Sequence, residues 1–322
     1  MQQEIPSPAA AGTPPNGPNE RRRALQCMVW AGSAVLWTVA GGVPRSSLMG
    51  DAQAAEIDPR AFTFAQVSDS HIGFHAAANP DVAQTFHQAV KQVARLRGRV
   101  STLIHTGDVS HLGTDEQFDT ARQILHRSGM DIHVVPGEHD MLLRHGQGFY
   151  QRFSPQFAEP LGAYTFDDHG VHFIALNNVS DFRPGGLGRL GAGQLAWLKA
   201  DLQGRSASQP IVVLAHMPLW SIYPQWGWGT DESAEVLEAL KPFGSVTVLN
   251  GHIHQVLQKV EGNVAFHTAV STAFPLPAPG KGPGPIPVKL PANDLARALG
   301  TATVHVVPGS HQLAVVNRPL GA

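Results

Sequence analysis

Ala61-Phe62-Thr63-Phe64-Ala65-Gln66-Val67-Ser68-Asp69-Ser70-His71 decides the reading of this chain. Residues 61–67 alternate apolar and smaller or polar side chains, which predicts a β-strand. The strand stops at an Asp-x-His. Alternate residues share one face of a strand, so Asp69 and His71 are expected to aim at one cation. The same arrangement, an apolar β-prone run ending in metal-ligand chemistry, recurs four times downstream. Residues 101–106 lead to Gly107-Asp108, and 132–135 lead to Gly137-Glu138-His139-Asp140. Residues 211–214 lead to His216, and 246–249 lead to Gly251-His252-Ile253-His254. Imidazole and carboxylate ligands suit zinc, iron and manganese. Asp108 can bridge two cations through its two oxygens. His252 and His254 can be shared between two nearby cations. Gly107, Gly137 and Gly251 precede proposed ligands, where close backbone approach at a tight turn calls for glycine.

Between these strands lie helices. Val82, Phe86, Val90 and Val93 stand at helical spacing within 81–96. Thr114 with Gln117 predicts a capping box that starts a helix reaching about Arg127. Strand, helix, strand, helix, strand implies parallel pairing through right-handed crossovers. Ligands in such sheets bind beyond the carboxyl ends of the strands. Further on, 163–166 and 171–175 flank a hairpin turn at Asp167-Asp168-His169-Gly170. Helices follow at 194–202 and 231–240. A second hairpin joins 257–260 to 264–267, and a last one joins 302–306 to 312–316. The Pro/Gly-rich stretch 274–291 is a long loop that either shapes the site's rim or covers a sheet edge. With no internal repeat or linker, residues 55–322 read as one mixed α/β domain.

The N-terminal 54 residues read differently. Residues 1–20 are rich in Pro, Gly, Ala and Asn, a disordered composition. Arg21-Arg22-Arg23 then precedes an apolar run, 27–43, and a small-residue site, Ala52-Gln53-Ala54. That run has the length of a signal segment and falls short of the roughly 20 residues a span needs. The pattern resembles a twin-arginine export signal. The expected location is therefore periplasmic or extracellular, with an N-terminal membrane anchor as the alternative. Cys27 is the only cysteine, so the processed chain would contain no thiol. Charged residues make up 15% and the net charge is -2, which gives no electrostatic reason to expect a nucleic-acid partner.

Order and spacing of the five clusters resemble the calcineurin-like metallophosphoesterases, from about Phe62 to Thr268. That resemblance implies a four-layer α/β/β/α sandwich, two mixed β-sheets flanked by helices. It implies two divalent or trivalent metal ions, iron, zinc or manganese. The first would take Asp69, His71, Asp108 and His254; the second would take Asp108, Glu138, His216 and His252. His139 matches the family histidine that protonates the leaving oxygen, and Asp140 would orient that imidazole. A hydroxide bridging the two cations would attack phosphorus in a small phosphate monoester or diester.

Two positions depart from the family pattern. Glu138 stands where the family usually has Asn, adding a charge and a methylene at the second metal. His111 stands three residues after Asp108, where the related purple acid phosphatases have a metal-binding Tyr; it reads as an extra ligand or a donor behind one. The motif order also resembles cyclic nucleotide phosphodiesterases, although export counts against cytoplasmic signalling. A non-catalytic metal or oxyanion binder rests on Glu138 alone, and a DNA nuclease lacks the basic excess. Trp220, Tyr223, Trp226 and Trp228 form either an aromatic lid or a plug under a loop. Arg144 and Arg152 are candidate phosphate contacts. His105 is the remaining histidine best placed to matter.

Overall fold

The computed structural model describes residues 36–40, 43–47, 62–153, 161–181, 183–306 and 313–321. The chain divides into two units, Met1–Asp58 and Pro59–Ala322. In the first, β1 (Leu36–Ala40) and β2 (Val43–Ser47) form an antiparallel ribbon in which Ala40 pairs with Val43. The arginine run, Cys27 and the Ala52-Gln53-Ala54 site of the expected export signal lie outside the described residues. Among the described residues no helix is long and apolar enough to cross a membrane.

The second unit begins with β3 (Phe62–Val67), α1 (Val82–Ala94), β4 (Thr102–His105), α2 (Asp115–His126) and β5 (Asp131–Val134). After α3 (Gln147–Phe153) come β6 (Tyr164–Asp168), β7 (Val171–Ala175), α4 (Gly191–Leu202) and β8 (Ile211–Leu214). Then follow α5 (Ser233–Leu240), β9 (Val246–Asn250), β10 (Gln258–Glu261) and β11 (Val264–Thr268). The unit closes with α6 (Ala292–Ala298), β12 (Gly300–Val306) and β13 (Ala314–Pro319). Two mixed sheets result. One has the order β13-β12-β3-β4-β5, with β3, β4 and β5 parallel. The other has the order β10-β11-β9-β8-β7-β6, with β7, β8, β9 and β11 parallel.

Strand periodicity sorts the core into layers. Phe62 and Phe64 of β3 face the other sheet, with Phe173 of β7 and Val212 and Leu214 of β8. Phe64 and Phe173 meet edge to face at 5.2 Å across the gap, an arrangement worth about 1 kcal/mol beyond its buried area. Ala65 and Val67 face outward to Phe86, Val90 and Val93 of α1 and Phe118 of α2. On the far side Ile211, Val213 and Val248 pack under Leu198 of α4 and Val236 and Leu240 of α5. The four-layer sandwich of helices, two sheets and helices is the observed fold.

Local chemistry explains most boundaries. Asp81 caps α1 by accepting from Gln84 N at 3.0 Å, a contact worth about 1 kcal/mol. Thr114 caps α2 by accepting from Gln117 N, but the expected reciprocal half of the box is missing. Gln117 Oε1 instead accepts from Leu112 N at 2.8 Å, tying the helix to the loop that carries His111. The first hairpin is tighter than its four turn-forming residues suggest. Asp168 pairs with Val171, leaving only His169 and Gly170, both at positive φ, in the turn. The short helices α3 and α6 have too few turns to display a hydrophobic period, so neither is foreseen from the sequence.

Candidate metal centre

Every cluster foreseen at a strand end lies at the carboxyl-end rim that the two sheets share. Strand alternation is not what aims the ligands, however. Strand β3 ends at Val67, and Asp69 and His71 lie beyond it at φ 52° and 41°. Asp108, His252 and His254 also have positive φ, so five of the eight such non-glycine residues described belong to this rim. Each left-handed residue costs about 1–3 kcal/mol and persists only where its surroundings over-determine it. Close packing supplies that determination. A Cβ on Gly137 would stand 2.1 Å from Asp108 Oδ1 and 2.2 Å from Asp108 N, and one on Gly251 would stand 2.2 Å from Ser68 Oγ.

Seven side chains converge here, two groups of three joined by Asp108. In the first, His254 Nε2 lies 3.3 Å from Asp69 Oδ1 and 3.2 Å from His71 Nε2. In the second, Glu138 Oε2 lies 2.8 Å from His216 Nε2, and Glu138 Oε1 lies 2.9 Å from His252 Nδ1. Asp108 Oδ2 stands between them, 3.5 Å from His71 Nε2 and 3.4 Å from His216 Nε2. Donors held at ~2.1 Å from one ion at right or tetrahedral angles are about 3.0–3.4 Å apart, close to what each group shows. Asp69 Oδ2, Glu138 Oε2 and His216 Nε2 are buried without an aligned hydrogen-bond partner. Buried polar atoms left this way are costly unless something binds them, and a cation fits this donor set.

Backbone carbonyls fix the imidazoles. His216 Nδ1 donates to Thr106 O at 2.7 Å and His254 Nδ1 to Phe274 O at 2.6 Å, leaving each Nε2 for the site. Protonation follows charge. Burial pushes His71 well below the usual imidazole range, and its histidine neighbours His139, His254 and His111 push it further, so it is a neutral donor. Burial alone would raise Glu138, but the His252 and His216 imidazoles outweigh it and hold the carboxyl well below its usual range. Burial would likewise lower His216, yet the Asp108 and Glu138 carboxylates raise it well above. Glu138 is therefore held as a carboxylate beside a protonated His216, whose proton a cation would displace.

A family profile described as calcineurin-like phosphoesterase matches residues 62–256, the span that carries all seven of these side chains. The chain belongs to the calcineurin-like phosphoesterase family. Members are metal-dependent hydrolases with a dimetal centre. Among curated relatives, a 3′,5′-cyclic-nucleotide phosphodiesterase of Nostoc sp. is 26% identical over 223 residues, covering 66% of this chain and 79% of that one. A probable glycerophosphodiester phosphodiesterase of Arcobacter nitrofigilis is 24% identical over 217 residues, covering 64% and 77%. Among solved structures, a dimetal phosphatase from Danio rerio has a TM-score of 0.61 at 16% identity, covering 80% of this chain and 96% of that one. A purple acid phosphatase from yellow lupin has a TM-score of 0.57 at 14% identity, covering 81% and 52%.

Within this calcineurin-like frame several residues stand differently from expectation. Asp108 turns Oδ2 towards both groups, while its Oδ1 accepts from His139 N at 2.9 Å. Asp140 does not touch the His139 ring. Its carboxylate accepts from Val109 N, Ser110 N, Ser110 Oγ and Gly137 N at 2.8–3.1 Å, binding the Asp108 loop to the Glu138 turn. Burial and the neighbouring Asp108 push this carboxyl up to about 6. The orienting contact of His139 is the His111 carbonyl, which accepts from Nδ1 at 2.7 Å. Burial would lower His139, but the Asp108 and Glu138 carboxylates raise it.

His111 stacks on His139 at 4.9 Å, and its Nδ1 lies 3.5 Å from His71 Nδ1. It thus sits behind His71, at the ring nitrogen opposite the one that meets His254. His105 is also a support: its Nε2 meets Ser70 Oγ at 2.9 Å, and burial lowers it to about 3. Arg144 and Arg152 both pair with carboxylates. Arg144 pairs with Asp115 at 2.7 Å, and Arg152 with Asp119 at 2.7 Å and Asp115 at 3.2 Å. Trp220 packs on Phe266 and Trp228 is fully buried, so both plug the core, while Tyr223 and Trp226 stay half-exposed. The 274–291 loop starts inside the site, with Phe274 stacked on His71 at 4.8 Å. Thr106 and Phe274 hold His216 and His254 through backbone carbonyls, which every residue type has, so no letter of the sequence marks those contacts.

Proposed function

We propose that this chain is a two-metal phosphodiesterase for small phosphate esters. The observation that carries the reading is the convergence of both ligand groups on Asp108 Oδ2, with His139 beside them. Asp69, His71 and His254 would hold one iron, zinc or manganese ion, and Glu138, His216 and His252 a second, with Asp108 serving both. When bound, the cations supply positive charge to the phosphoryl oxygens and lower the pKa of a water towards neutrality. His139, with Nδ1 committed to the His111 carbonyl, presents Nε2 at the half-exposed mouth. It gives its proton to the leaving oxygen, a role typically worth about 10²–10⁴-fold. Asp140 holds the two loops in register.

Diesters are favoured over monoesters by charge. Arg144 and Arg152 are engaged by Asp115 and Asp119, so neither guanidinium is offered to a monoester's second negative charge. The Nostoc and Arcobacter relatives are both named as phosphodiesterases, and a cyclic nucleotide is the alternative substrate. The test is metal-replete protein on bis-p-nitrophenyl phosphate, p-nitrophenyl phosphate and 3′,5′-cyclic AMP, with and without chelator. The reading expects chelator-sensitive hydrolysis of the bis ester, at least tenfold faster than the monoester. Faster cleavage of cyclic AMP would select the cyclic nucleotide reading. Two bound ions without turnover would make this protein a metal or oxyanion binder. Export of the mature enzyme rests on residues 21–54. A periplasmic or secreted form starting at Ala55 would support it, and an intact N-terminus in the membrane fraction would replace it with an anchor.

A further inference from the structure

Five large apolar side chains are exposed among the described residues, and three of them lie on the two segments that carry His111 and His139. Leu112 is 50% exposed, Leu142 48% and Leu143 45%. A lone exposed leucine needs no explanation, but a cluster does. These three come from two segments in contact. A Cβ on Gly113 would lie 3.3 Å from Leu143 N and 3.4 Å from His139 O. Leu112 directly follows His111, whose ring stacks on His139. Phe74, half-buried, meets the His111 ring edge-on at 5.2 Å. The charged residues alongside neutralise each other, since Arg144 pairs with Asp115.

The position matters because of what His139 does. Asp69, His71, Asp108, Glu138, His216 and His254 are buried, whereas His111, His139 and His252 reach solvent. An ester therefore enters past these histidines, and its leaving oxygen sits at His139. On hydrolysis the P–O bond to that oxygen breaks, hydroxide from water joins phosphorus, and the His139 proton goes to the departing alkoxide. The departing alcohol then leaves beside the segments that carry the leucines. From this placement, and resting on the phosphodiesterase reading, we infer that the preferred substrates are phosphodiesters whose leaving alcohol is apolar, an alkyl chain or an alkyl-substituted ring.

The test uses the metal-replete full chain and methyl aryl phosphates with phenyl, 4-methylphenyl, 4-propylphenyl or 4-pentylphenyl leaving groups. A para-alkyl tail hardly changes the acidity of the phenol, so the series varies apolar size alone. Full burial of a methylene is worth about fourfold, and an open shelf gives about half of that in free energy. kcat/KM should therefore rise on the order of tenfold from 4-methyl to 4-pentyl. In a variant carrying Leu112→Ser, Leu142→Ser and Leu143→Ser the ratio should fall towards one, while Leu→Met at the same positions keeps it. A linear-chain series of methyl alkyl phosphates tells whether chain or ring is preferred. A flat series in the parent, or a slope that survives the serine changes, overturns the inference and leaves the phosphodiesterase reading standing. Hydrolysis of none of the esters overturns both. A parent dimer that the serine variant splits would assign the leucines to a second copy of the chain and overturn the inference as well.

Discussion

Gly137→Ala should destabilise the protein and strip its metal, although the backbone at Gly137 is ordinary. Its φ is -106°, which alanine adopts without strain. If the residue were only a turn former, alanine would stabilise the fold by about 0.4–1 kcal/mol through the unfolded state. The structure gives the opposite sign. The new Cβ would stand 2.1 Å from Asp108 Oδ1 and 2.2 Å from Asp108 N, where ordinary contact begins near 3.4 Å. The two segments must part by roughly 1 Å, with overpacking costing about 1–3 kcal/mol. That movement breaks the 2.9 Å bond from His139 N to Asp108 Oδ1, and a hydrogen bond to a carboxylate is worth about 1.5–3 kcal/mol. The net loss is about 3–4 kcal/mol, or about 10 °C in melting temperature for a domain of this size. Calorimetry should show it, and elemental analysis should show fewer bound ions because Asp108 moves. Gly284, which has nothing within 4 Å of an added Cβ and no positive φ, is the control whose alanine variant should be neutral. A Gly137→Ala protein that melts at or above the parent temperature would refute the close-approach reasoning.

Asp140→Ala leaves four buried donors without an acceptor and should cost at least about 3 kcal/mol along with metal retention; a change confined to the pH profile of kcat would return Asp140 to an imidazole-orienting role. His139→Ala should keep both ions and lose about 10²–10⁴-fold in kcat for alkyl leaving groups, less for nitrophenyl, which needs little protonation; equal losses for the two would remove the proton-donor role. Burial lowers His267 to about 4 from an ordinary 6.5. The unfolded chain therefore takes up this proton first, so stability is full above pH 6.5 and falls by up to about 3 kcal/mol as pH drops to about 4. His267→Gln should flatten that part of the denaturation profile, and an unchanged slope would assign it to other groups.

Much of the fold was legible because period-two strands and apolar runs stop abruptly at polar clusters. Ile211–Leu214 ends two residues before His216, and Phe62–Val67 two before Asp69, so the rim could be drawn from spacing alone. Less legible was how the ligands are aimed. Nothing in the letters Asp-Ser-His announces two left-handed residues, since only packing against the Asp108 loop holds them there. Adjacency also misleads in the third cluster. Glu138–Met141 is a 3-10 turn, where successive side chains diverge by about 120°. Glu138 and Asp140 consequently point to different partners from His139 between them. The backbone N–H of His139 on Asp108 Oδ1 was hidden for a related reason, because it comes from another loop.

The account turns on Glu138 joining His216 and His252 as one ligand group while Asp69, His71 and His254 form another. Anomalous diffraction from crystals of the metal-replete protein tests this most directly. It should show two peaks, one bounded by each group, with Asp108 Oδ2 between them and Glu138 in contact with the second. A single peak, or a second peak from which Glu138 has swung away, would contradict the account.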